Sequence, residues 1–178
     1  MSYIHARNMQ AAPIQEQWLR MLRWYERVKK IIKNSQSHPY EDFMDFLLVY
    51  FNQCFCMRDW IIEAGVLSQE SVNEFFNSSE SLKVCRDVTN GFKHLKINKP
   101  SIDGNFMICS EYDPEFGISF SNKNYNEVVI LAAYKKYSVL ELIENCKNEL
   151  QEFIQRNSIM DEINELLPPL SPLLPENK

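Results

Sequence analysis

The chain has 178 residues, 45% of them hydrophobic and 24% charged, the balance of a packed globular protein long enough for one core. A net charge of -5 argues against a general nucleic-acid binder, and four glycines leave no glycine-rich phosphate loop. Five cysteines (54, 56, 85, 109 and 146) without a Cys-x-x-Cys pair, beside only three histidines, supply no four-ligand zinc set and read as reduced, buried thiols of a cytoplasmic protein. The first residues carry no apolar run of the signal-peptide kind, and no stretch suits a bilayer: the most apolar one, Phe43 to Cys56, is interrupted by Asp45, Asn52 and Gln53.

Residues 1–12 read as a lead-in arm, and Pro13 suits the first turn of a helix. Ile14, Trp18, Met21, Leu22, Tyr25, Val28, Ile31 and Ile32 then recur at three- and four-residue steps, predicting an amphipathic helix that ends near Asn34-Ser35. Arg20, Arg23, Arg27, Lys30 and Lys33 lie off that stripe. Residues 1–40 carry +5 against -10 for the remainder, so this helix offers either a basic surface for a phosphate backbone or a solvated face. After the polar connector 35–39, residues 40–64 read as a long helix closed by Gly65. It is apolar nearly all round and is expected to be buried on several sides, partly by a bundle and partly by a second subunit. Asp45, Asn52 and Asp59 recur every seven residues as one polar column, facing the polar side of another helix, a dimer axis or solvent. Arg58 and Asp59 are the candidate supporting residues in that region.

Residues 67–76 suggest a short helix. Asn77 to Glu80 then looks like an N-terminal cap with an acid three residues on, which predicts a helix from about Ser78 to Leu95. At about 100° per residue, Lys93, Arg86, Asn90, His94 and Asp87 fall on one side and Cys85, Val88, Phe92 and Leu95 on the other. Arg86, Asn90 and His94, spaced i, i+4, i+8, form one hydrogen-bonding column. Gly91 inside a helix costs roughly 0.5–1 kcal/mol relative to Ala. It implies close approach of another group, or a distortion at the helix end.

After Ile97 the texture changes. Residues 106–109, 117–120 and 128–134 read as three strands, with turns at Asp113-Pro114 and Asn122–Asn126: an antiparallel meander inserted over about 104–136. Ser138 with Glu141 is a second capping signal. Leu142, Ile143, Cys146, Leu150, Phe153 and Ile154 mark the last long helix, which stretches or breaks before Ile159-Met160 and continues to Leu167. Residues 168–178, with four prolines among leucines, read as an extended tail. The expected fold is mainly α: one helical-bundle domain over 1–167, with the small β meander before its last helix.

Arg86-Asp87, six further residues and His94 resemble the Arg-polar-x4–6-His signature of HEPN-type proteins. The likeness covers the first hundred residues and the last helix, not the meander. It implies an up-and-down helical bundle acting as a homodimer, in which two such helices meet across a two-fold axis. The implied activity is a metal-independent endoribonuclease of the toxin or phage-defence kind, needing no cofactor, with a cognate antitoxin or regulatory protein as a further partner. RNA brings its own nucleophile, the 2′-hydroxyl. His94 would exchange protons near neutral pH, and Arg86 would hold the phosphate and offset its developing charge. Asn90 would donate to a phosphate oxygen or orient His94, Asp87 would fix Arg86 or the imidazole, and Lys93 and Arg58 would bind the RNA backbone. Two other readings stand beside this one. The Arg–Asp–His set could be a polar network holding helices together, or the chain a non-catalytic nucleotide- or protein-binding module.

Overall fold

The structure, a computed structural model, describes residues 14–33, 40–94, 96–111 and 127–160. Its elements follow in the order α1 (Ile14–Lys33), α2 (Tyr40–Ala64), α3 (Gln69–Ser78), α4 (Glu80–Lys93), β1 (Met107–Glu111), β2 (Glu127–Ala132), β3 (Lys135–Ser138) and α5 (Val139–Arg156). The protein is therefore mainly helical, with a small antiparallel sheet before the last long helix, as the periodicities predicted. The expected strand at 117–120, the lead-in arm and the proline-rich tail lie outside the described residues.

Helix α2 is the hub, touching α1, α3, α4 and α5. Phe43, Leu47, Tyr50, Phe51, Cys54, Met57 and Ile61 recur at three- and four-residue steps and are fully or nearly fully buried. The other large side chains of α2, including Phe46, Phe55 and Trp60, are half-buried against the same core. One chain thus covers much of what looked like surplus apolar surface. The polar column of α2 divides: Asp45 and Asp59 meet solvent, whereas Asn52 is half-buried and its Oδ1 finds no hydrogen-bond partner among the described residues.

Several other polar groups that enter the core are paired, though the buried Thr89 hydroxyl finds no hydrogen-bond partner among the described residues. The Tyr50 hydroxyl donates to the Ile143 carbonyl at 2.7 Å, joining α2 to α5. The Cys85 thiol donates to the Phe51 carbonyl and the Cys146 thiol to the Ser81 carbonyl. Burial pushes the Cys54, Cys85 and Cys146 thiols up, so these three remain protonated and act as small apolar residues. Gln17 of α1, also buried, donates to the Gln53 side chain and accepts from Arg20. The rings of Phe75 and Phe153 stack at 3.9 Å between α3 and α5.

The sheet has the order β1-β2-β3, both pairings antiparallel. What read as one strand over 128–134 is a strand and the start of a hairpin. Ala132 pairs with Lys135 around a two-residue turn, Ala133-Tyr134, whose φ values of 49° and 62° are both left-handed. Two-residue turns of this sign match strand twist and are normally signalled by Asn-Gly or Asp-Gly. Ala-Tyr carries no such mark, so β3 was not foreseen. Ile130 and Ala132 enter the helical core, and α5 follows β3 without a loop.

Candidate functional site

Helix α4 starts where Ser79 caps it, its hydroxyl accepting from the Leu82 N–H at 2.9 Å. Leu82, Val84, Cys85 and Val88 point into the core. The helix stops at Lys93, two residues before the expected end, and His94 is its C-cap, with extended φ and ψ of -128° and 139°. His94 still donates its backbone N–H to the Asn90 carbonyl, but its side chain no longer continues the Arg86–Asn90 column and is exposed. Eight residues of helical rise set Arg86 and His94 roughly 12 Å apart along the axis.

Two residues of this stretch differ from the two-face reading. Phe92, assigned to the apolar side, is 58% exposed because α4 ends there and nothing covers it among the described residues. Asp87, assigned to the polar side, is 2% exposed because the loop after α4 folds back over it. Its Oδ1 accepts from the Ser101 N–H at 2.7 Å, and its Oδ2 from the N–H groups of Ile102 and Asp103 at 2.6 and 3.0 Å. Asp103 in turn accepts from the N–H groups of Asn105 and Ala133, which hold its carboxyl below the usual range. Two carboxylates in series thus tie α4 to the hairpin turn. Asp87 spends its oxygens on backbone rather than on Arg86 or the imidazole.

Gly91 serves close approach, one of the two roles that its place inside the helix implied. A Cβ there would lie 2.8 Å from the ring of Phe106, which leads into β1.

Arg86 is half-buried and makes no hydrogen bond or ion pair among the described residues. It lines a cavity of about 300 Å³ enclosed by α2, α3 and the start of α4, together with Phe55, Arg58, Asn73, Phe76, Asn77 and Leu82. Arg58 is held there by two bonds. Its Nε donates to Asn73 Oδ1 at 2.8 Å and its Nη1 to Asp59 Oδ1 at 2.7 Å. Asp59 is exposed, so that ion pair is screened and offsets little of the local charge. The edge-to-face pair Phe55–Phe76 forms part of the wall. The cavity therefore gathers Arg86 and Arg58, braced by Asp59, but not Asn90, Lys93 or His94. Those last two, with Lys96 and Lys99, make an exposed basic run just past the helix end.

Asn73 and Asn77 were missed from the sequence. Their i, i+4 spacing on a short helix was the one available signal. Chemically the cavity presents two guanidinium forks and an amide N–H₂ group on Asn73 beside aromatic walls. Such a set suits a ligand that only accepts hydrogen bonds and carries negative charge. A shallower groove of about 740 Å³ beside Tyr134 and Met107 lacks that character: its Asp103 is taken by backbone N–H groups and its Lys135 by Glu80. Among the described residues no group of three or more His, Cys, Asp or Glu side chains is placed to hold a metal ion. No described helix is long and apolar enough to cross a membrane.

Family models, characterised proteins and solved structures were compared with this chain, and none matches it.

Proposed function

We infer that the α2–α3–α4 cavity binds phosphate and that the protein is an HEPN-like, metal-independent endoribonuclease working as a homodimer. The observation that carries this is Arg86, a half-buried cation with no partner among the described residues, converging with Arg58 on one cavity. A half-buried guanidinium without a counter-charge is stabilised by an anion. The Arg86–Asp87…His94 likeness supplies the rest of the reading. His94, exposed at the end of α4, is the proton-transfer group. Lys93 and Lys96 beside it attract the RNA backbone. With His94 and Arg86 separated along one helix, the working site is completed by the second subunit, whose α4 runs across the two-fold axis. A role as a toxin or phage-defence effector, held in check by an antitoxin or regulatory protein, belongs to the same reading.

The test is cleavage of single-stranded RNA in the presence of EDTA. The expected result is activity in the wild type, a loss on the order of 10²-fold or more in His94→Ala, and a loss in Arg86→Ala of about tenfold or more through weakened phosphate binding. Equal activity in all three, or none in any, removes the nuclease.

A second reading has its own observation. Asp87 is fully used by the loop and His94 lies outside the cavity, as suits a module that binds a phosphate ligand or partner without turnover. Retained, EDTA-independent binding with no cleavage would select it.

A further inference from the structure

Resting on the cavity's reading as a phosphate site, we propose that it accepts a terminal phosphate, a phosphomonoester dianion, rather than the internal phosphodiester that is cleaved, so that Arg86 anchors an end of the ligand instead of offsetting charge at the scissile phosphorus. Three features of the site argue for this.

The first is charge. Arg86 and Arg58 bring two positive charges to one cavity, and the only carboxylate bonded to either among the described residues is Asp59, which is exposed and reaches Arg58 through a single guanidinium nitrogen. A phosphomonoester carries close to two negative charges at neutral pH, whereas an internal diester carries one. The second is donor count. Asn73 accepts from Arg58 through its Oδ1, so its amide nitrogen is left as a donor, and the guanidinium nitrogens of Arg86 have no protein acceptor among the described residues. These four donor nitrogens are twice the two free oxygens of a diester and suffice to engage all three of a monoester. The third is space. About 300 Å³ is at the small end of ligand sites. It suits one phosphate-bearing unit with its sugar or base against Phe55 and Phe76, and it leaves little room for a chain entering and leaving.

The same chemistry is offered by a free mononucleotide and by the phosphorylated end of an RNA. The experiment is calorimetric titration of the full-length chain with inorganic phosphate, uridine 5′-monophosphate, dimethyl phosphate and uridine. Matched oligoribonucleotides with and without a terminal phosphate follow. Phosphate and the monophosphate are expected to bind, and dimethyl phosphate at least about tenfold more weakly. Affinity for the monophosphate should rise as pH passes about 6, where its second phosphate proton leaves while arginine stays charged. Arg86→Gln and Arg58→Gln should each weaken phosphate binding about tenfold or more. A gain in affinity from the terminal phosphate on the oligonucleotide assigns the source as an RNA end. Binding of the mononucleotide without that gain assigns a free nucleotide.

Dimethyl phosphate binding as tightly as phosphate overturns the proposal, as does no binding of phosphate at all. Since the ligand series uses the wild type, it decides even if a variant fails to fold. Terminal-phosphate binding without RNA cleavage would sink the nuclease and leave this inference standing. EDTA-resistant cleavage indifferent to terminal phosphates would do the reverse.

Discussion

At Gly91 two local effects oppose each other. Alanine is the better helix former by up to about 1 kcal/mol. Its Cβ, however, would sit 2.8 Å from the rigid ring of Phe106, and overpacking of that kind costs typically ~1–3 kcal/mol. Steric cost wins, so Gly91→Ala is expected to lower stability by about 1 kcal/mol in urea denaturation. The loss should shrink in a Phe106→Leu background; a gain in stability would show that the ring moves aside freely. Asp103 is a second residue whose role can be read from its environment. The N–H groups of Ala133 and Asn105 favour its charged form and lower its pKa from the usual 3.8. A depressed carboxylate contributes stability above its unfolded pKa and loses it as pH falls through the folded one. Once intrinsic exchange rates are divided out, the Ala133 and Asn105 amides should hold constant protection at pH values above 3.8 and lose it below. Unchanged protection under acid would mean that the turn does not depend on that carboxylate.

Among the elements, the helices were legible because each buries one stripe. The three- and four-residue steps of α1 and α5 name their buried residues almost one for one. The hairpin was hidden because its turn is Ala-Tyr, and the end of α4 was misjudged because Lys93 and His94 carry no helix-stopping signal. The site was legible only in part. Arg86 and Arg58 stood out as cations, but the cavity joins residues of three helices, and nothing linear announces such a convergence. Two outcomes follow at this scale. Replacing Ala133-Tyr134 by Asn-Gly relieves two left-handed L-residues and should raise stability by about 1–2 kcal/mol, read as a higher denaturation midpoint at unchanged slope. A loss would mean that Tyr134, fully exposed at the tip, makes a contact that matters in the free protein. Asp87→Asn puts an amide N–H₂ group among three backbone donors and should cost about 3 kcal/mol. If its effect were confined to RNA cleavage with stability intact, Asp87 would belong to the chemistry rather than to the loop.

At the scale of the whole molecule, the question is whether the sheet is an appendage or part of the folding unit. Its attachments are of two kinds. On the surface, Glu80 at the start of α4 accepts from both Lys135 and Tyr137, and burial together with that bond pushes the Tyr137 hydroxyl up to about 12. These contacts are exposed, and surface ion pairs contribute little to stability. Inside, Ile130 is fully buried in the same cluster as Leu82, Val139 and Ile143, so the sheet closes the core over α4 and α5. The interior attachment contributes more, since burying one such side chain is worth about 2–3 kcal/mol before any cavity is counted. Ile130→Ala should therefore lower the stability of the helices themselves by about 2–5 kcal/mol. The readout is far-ultraviolet circular dichroism, which is dominated by α1 to α5. Near-ultraviolet signals from Trp18, Trp24 and Trp60, all on helices far from β2 in sequence, should move to the same midpoint. A helical midpoint that ignored the substitution would mean that α4, with Arg86 on it, is held by the bundle alone. The loop would then be held to α4 by its own ties, the Asp87 carboxylate and the packing of Ile102 and Phe106 on the core, without help from the sheet.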